Sequence, residues 1–138
     1  MFKSISIAIL ASALVSGCAT GPSMSGMKSP VSALEAGKAR VYFYRTGIIG
    51  AAYQPEVTLN GLVVGKATPR GVYFRDVPPG AYLVTTSMTK ETVSFKLVAG
   101  QKQYVRLSYS FGFNIYPELV NTSNGESESK DLSYIAAH

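Results

Sequence analysis

Cysteine occurs once in the 138 residues, at Cys18, and histidine once, at His138, the last position. One cysteine excludes a disulfide within the chain. A nucleophile needs a base within hydrogen-bond reach, and a histidine on a fraying terminus is a poor one, so no enzymatic activity is expected. Metal sites need clustered His, Cys, Asp or Glu, so neither a metal nor a cofactor is expected. The nearest approach to a cluster is Glu126, Glu128 and Asp131, whose spacing fits no calcium loop and which Lys130 opposes. Residues 121–130 therefore read as a solvated polar loop. A glycosidase-type carboxyl pair would require the fold to bring two acids together. Glu56 and Asp76 are candidates by position, and nothing in the sequence requires them to meet. Gly-rich phosphate loops are missing. So are basic runs with interleaved aromatics, since Lys38, Arg40 and Arg45 are only a loose scatter, and nucleic acid is not expected as a partner. No long amphipathic helix competes with the strands, which argues against a parallel βαβ sheet.

The apolar run at residues 4–15 is shorter than the roughly 20 residues that a membrane span needs. Lys3 precedes it, and no polar stripe interrupts Ile7-Ala8-Ile9-Leu10-Ala11. This is the layout of a secretory signal. The run closes on Val15-Ser16-Gly17-Cys18. That sequence resembles the lipobox of bacterial lipoproteins: an aliphatic residue, two small residues, then cysteine. The resemblance implies diacylglyceryl transfer to the Cys18 thiol, cleavage between Gly17 and Cys18, and acylation of the new amino terminus. One acyl chain binds a membrane marginally, whereas two or more anchor it. Ala19 stands where an aspartate would resemble an inner-membrane retention signal. In a Gram-negative envelope the expected address is then the outer membrane, facing the periplasm.

Cleavage before Cys18 leaves 121 residues, enough for one domain. The formal charge of the whole chain is +5, and loss of Lys3 leaves 12 basic against 8 acidic residues. Such a balance keeps a protein soluble and also favours anionic headgroups, glycans or acidic partners. Small, polar and helix-breaking residues dominate 19–30, so 18–37 reads as a lipid-bearing flexible tether.

From residue 38 to 138 the pattern is β. Arg40-Val41-Tyr42-Phe43-Tyr44-Arg45 is aromatic and β-branched. Residues 55–60 alternate, with Val57 and Leu59 inward, and Asn60-Gly61 signals a type I′ hairpin into 62–66. Residues 71–77 form the next strand. Pro79 and Gly80 suit a type II turn, with positive φ at Gly80. Strands follow at 81–86, 92–98 (Val93, Phe95 and Leu97 inward) and 103–110 (Val105, Leu107 and Tyr109 on one face). Residues 118–120 are a short candidate strand, and 132–135 close the chain as a strand or a helical turn. Seven or eight short strands at this spacing predict an all-β fold, a single antiparallel β-sandwich.

The stretches "ARVYFYRTG", "VTLNGLVVGK", "GVYFRDVPPGAYLVT" and "VAGQKQYVRLSY" resemble the bacterial family called domain of unknown function 2846. The resemblance implies an envelope lipoprotein with a small sandwich of the immunoglobulin-like or transthyretin-like kind. It implies no activity and transfers no catalytic residue. Two stretches are unusual for loops. Residues 46–53 place Ile48, Ile49 and Tyr53 between strands. Residues 109–116 carry Phe111, Phe113 and Tyr116. Exposed, they would form a partner-binding surface; the plainer alternative is that they lid the core and pack the sandwich edge. The expected function is a non-enzymatic, membrane-tethered binding or adaptor module that contacts another envelope protein. The alternative is a lipoprotein that binds glycan or cell wall through its Tyr, Phe, Arg and Lys side chains.

Overall fold

A computed structural model of the chain describes residues 18–19, 21–26, 32–112 and 114–135. The expected signal residues, Gly17 of the cleavage site, Phe113 and His138 lie outside the described residues.

The strand β1 (Ala39–Tyr44) has no polar alternation because both of its faces are covered, and all six of its residues are buried. Val41 and Phe43 point into the space between two sheets. Tyr42 and Tyr44 point the other way, into a second cluster with Val72, Tyr104, Val120 and Leu132. A strand buried on both faces reads as a continuous hydrophobic run. The hairpin β2 (Glu56–Leu59) and β3 (Leu62–Lys66) turns at Asn60 and Gly61, with φ of 49° and 81° as the type I′ turn requires. The strands β4 (Gly71–Val77), β5 (Gly80–Thr86), β6 (Val93–Leu97) and β7 (Lys102–Ser110) follow close to their expected positions.

The sheets have the orders β8-β7-β1-β4-β9 and β3-β2-β5-β6, and the main core lies between them. The fold is the expected β-sandwich, with four departures from the sequence reading. Gly80 has φ 158°, far from the +80° of a type II turn, and it opens β5 while Pro78-Pro79 carries the chain from one sheet to the other. The larger sheet is mixed: β1 pairs antiparallel with β4 but parallel with β7, and β4 is parallel to the two-residue β9 (Ser133–Tyr134). The short strand expected at 118–120 is the seven-residue β8 (Asn114–Val120), an edge strand that accommodates Pro117.

The fourth departure is a helix, α1 (Thr122–Ser129), in place of the polar loop. The Asn121 side chain accepts from the Asn124 amide at 2.8 Å, an N-cap that supplies one missing helix partner. Gly125 and Ser129 form the buried side of α1, and Gly125 rests on the Tyr104 ring. The helix thereby covers the outer tyrosine cluster of the five-stranded sheet.

Residues 21–26, within the stretch read as a flexible tether, run against residues 130–134. Met24 donates its amide to Leu132, Ser25 to Lys130, and Tyr134 donates to Pro22. Ala19 donates to the Pro69 carbonyl at 2.9 Å. No helix among the described residues is long and apolar enough to cross a membrane.

Candidate functional site

Strand direction gathers five connections at one end of the sandwich, one of them residues 130–132, which lead into β9 alongside the start of β4. β1 and β7 run parallel and finish there, leading into 46–53 and 111–112. β4 runs opposite to β1 and starts there, after the 67–70 turn. β5 is antiparallel to β2, which begins there, so the 87–92 loop belongs to the same end. The two unusual stretches of the sequence therefore meet, and Cys18, exposed, sits beside them through the bond from Ala19 to Pro69. Arg70 links turn to loop by donating Nη1 to the Thr46 carbonyl at 3.1 Å.

Arg45 organises this end. It is 1% exposed. Its Nη1 donates to the carbonyls of Tyr53 and Ala67, each at 2.7 Å, and its Nη2 to those of Ile49 (3.1 Å) and Gly50 (3.0 Å). No carboxylate pairs with it among the described residues. Burial pulls its pKa down, partly offset by the nearby Cys18 thiol. The loop closes on itself around the guanidinium: Ala51 donates to Ile48, and Tyr53 to Gly50. Gly50 has φ 73°, and a Cβ there would stand 2.7 Å from the Tyr109 ring. That close approach ties the first loop to the second.

The backbone of 46–53 is thus pinned while its side chains project. Ile48 is 60% exposed, Ile49 69% and Tyr53 41%, so these three are not the core lid of the plainer reading. Phe111 is 99% exposed, with its ring edge-on to half-buried Tyr109. Tyr116 lies lower, opposite Ser108 on β8, and lines an open groove of about 580 Å³ together with Ile49 and Tyr109.

The groove also holds an ion network. Arg106 bonds Glu118 through Nε at 3.0 Å and Glu128 through Nη1 at 2.9 Å. The Tyr44 hydroxyl donates to Glu128 at 2.6 Å, and Ser108 donates to Glu118 at 2.5 Å. Burial, then the bond to Glu128, pushes the Tyr44 phenol up, so it remains a protonated donor. For Glu118, burial works upward but is outweighed by the bonds from Ser108 and Arg106 and by the Arg106 charge, and its pKa ends below the ordinary range. A carboxylate held ionised in this way is a structural anchor and a poor proton donor.

A depressed native pKa means that the unfolded chain binds the proton first on acidification. Its contribution is complete above the ordinary glutamate range and disappears as pH falls through the lowered native value. Glu118→Gln is expected to flatten the acid limb of stability. Urea midpoints for wild type and variant, followed from neutral pH down through the carboxylate range, check this. Parallel curves would contradict it.

The other acids do not assemble. Glu56 lies on the four-stranded sheet, whereas Asp76 lies on the other and is held by Arg40 at 2.6 and 3.0 Å. No group of three or more His, Cys, Asp or Glu side chains fit to hold a metal ion occurs among the described residues. Sequence reasoning missed Arg45 as an organiser, grouping it with the scattered basic residues. Its position directly after the apolar and aromatic run Val41-Tyr42-Phe43-Tyr44 was the available signal. It also missed the Arg106–Glu118 pair, which only the β7–β8 register brings face to face.

The chain is 23% identical over 134 residues to an uncharacterized protein of Haemophilus influenzae, across 91% of this chain and 80% of that one. No solved structure matches it. The family described as "Protein of unknown function (DUF2846)" matches residues 35–118, from just before β1 into β8. With more than half of its length matched, including both strands that frame the buried Arg45 loop, this chain belongs to the DUF2846 family.

Proposed function

We propose that the protein is a non-enzymatic lipoprotein of the bacterial envelope, anchored through acyl chains on Cys18, that acts by binding. The observation carrying this reading is the convergence of Ile48, Ile49 and Phe111 on the end of the sandwich where Cys18 lies. Large apolar side chains held outward on a pinned backbone are a contact surface rather than a packing accident. The lipobox-like Val15-Ser16-Gly17-Cys18 supports the anchor, and Ala19 after it supports an outer-membrane address. The ion-paired carboxylates and the lack of a ready base among the described residues support binding over catalysis.

Two experiments test the reading. Cys18→Ser is expected to abolish labelling by a fatty-acid tracer and to leave an uncleaved precursor; continued labelling would sink the anchor. A photo-crosslinking residue at Ile49 and, separately, at Phe111 is then placed in the native protein in living cells. Adducts to envelope protein, glycan or lipid identify the occupant, with a glycan adduct selecting the cell-wall reading. Adducts at neither position would remove this end as the contact surface.

A further inference from the structure

We infer that the end of the sandwich bearing Ile48, Ile49 and Phe111 lies directly on the lipid bilayer, with those side chains in its interfacial layer. This rests on the reading of Cys18 as the lipidated residue, and it names the occupant of the surface proposed above.

Reach from the lipidated residue sets the orientation. Cys18 is followed immediately by Ala19, whose amide is bonded to the Pro69 carbonyl. One residue spans at most about 3.6 Å. The interfacial layer on each side of a bilayer is about 5–8 Å thick. Acyl chains on Cys18 therefore bring the 67–70 turn down to the headgroups. A free tether of twenty residues would not do so, but here the first residues after the cysteine are already paired with the body of the domain. Arg70 in that turn is bonded to Thr46, so the apolar loop descends with it.

Composition fits the same orientation. Residues 46–53 and 111–113 contain no charged residue. The other three connections at this end carry Arg70, Lys90 and Lys130 against Glu91 and Asp131, a small positive balance suited to anionic headgroups. Arg45 draws the carbonyls of Ile49, Gly50 and Tyr53 inward, so an insertion of this loop presents side chains and few unmet backbone acceptors to the lipid. Three large apolar side chains would bind a membrane weakly on their own. Once the lipid is inserted the contact is intramolecular, and a weak surface suffices to fix orientation. Docking leaves the sheet edges and the opposite end, where Val98 and Gly100 turn the chain, free for a protein partner.

The chain contains no tryptophan, so a single introduced one reports alone. Ile48→Trp and Phe111→Trp probe the apolar end, and Val98→Trp, at a position 61% exposed on the opposite end, is the control. Each full chain is expressed in cells that process lipoproteins, purified from membranes and reconstituted into phosphatidylethanolamine–phosphatidylglycerol vesicles with or without acyl-brominated lipid. Mass spectrometry of the same samples reads the acyl chains on Cys18. The expected result is blue-shifted emission and loss of most of the signal to bromine for the first two variants, with neither change for the third. Acylated protein with no quenching at Ile48→Trp and Phe111→Trp would overturn the docking and leave the anchor standing. A blue shift without quenching, as a protein partner or second copy would give, overturns it equally. Protein without acyl chains would overturn the anchor itself, and the docking with it.

Discussion

Replacing Arg45 with methionine is expected to lower the unfolding free energy by about 4 kcal/mol. Four carbonyls lose the Arg45 donor: Tyr53, Ala67, Ile49 and Gly50, of which Gly50 keeps the Tyr53 amide. A buried acceptor without a partner costs about 1–3 kcal/mol, so several left dry would exceed the expected loss. Three of them belong to a surface loop that can swing into water, whereas Ala67 is fully buried and its neighbours hold it. Methionine also relieves the native state of a desolvated cation that no carboxylate balances, which returns part of the loss. Urea denaturation checks the magnitude, and amide exchange across 46–53 checks the cause. The loop is expected to lose protection while β5 and β6 keep theirs. A variant as stable as wild type would mean that desolvation of the guanidinium had cancelled its four bonds.

The second large effect is at Gly125. A Cβ there would fall inside the Tyr104 ring. The ring has nowhere to retreat: it is 4% exposed, stacks on Tyr42 at 4.5 Å between centroids and meets Tyr44 edge-on at 6.3 Å. Either α1 lifts from the sheet or three tyrosines repack. Lifting would also strip Glu128 from Tyr44 and Arg106. Overpacking of this kind costs about 1–3 kcal/mol. Gly125→Ala recovers about 1 kcal/mol through helix propensity, whereas Gly125→Val recovers less because of its branched β-carbon. Valine is therefore expected to cost about 3 kcal/mol and alanine about 1–2 kcal/mol. Thermal or urea unfolding of the pair reads this order. Equal stability of alanine and wild type would show that α1 is only loosely seated.

The strands were legible because alternation and turn chemistry are local. Val57 and Leu59 facing the core, and the Asn60-Gly61 turn, follow from a dozen consecutive residues. Strand pairing across the sheet is not local. Nothing within β1 or β7 announces that they lie parallel and adjacent, since the partners are some sixty positions apart. The helix α1 was hidden for a different reason. Thr-Ser-Asn-Gly-Glu-Ser-Glu-Ser has poor intrinsic helicity, and a glycine within it argues against a helix. Two features override this: the Asn121 cap, readable in principle, and the fit of Gly125 onto Tyr104, not readable at all. At the candidate site, the odd composition of 46–53 and 109–116 was visible. Their convergence beside Cys18 was not, because it depends on which way each strand runs.

The pairing of residues 21–26 with residues 130–134 also sets an order of assembly. The bond from the Ser133 hydroxyl to the Gly21 carbonyl spans 112 positions. Closing a loop of that length is slow relative to the local hairpins, and synthesis delivers its two ends at opposite times. Pro22, Met24 and Ser25 are made early and meet their partners at 130–134 late. Until 130–134 arrive, the bond from Ala19 to Pro69 ties the segment to the growing domain. Residues 130–134 then add a second clamp, which fixes the body's orientation to its own amino-terminal segment.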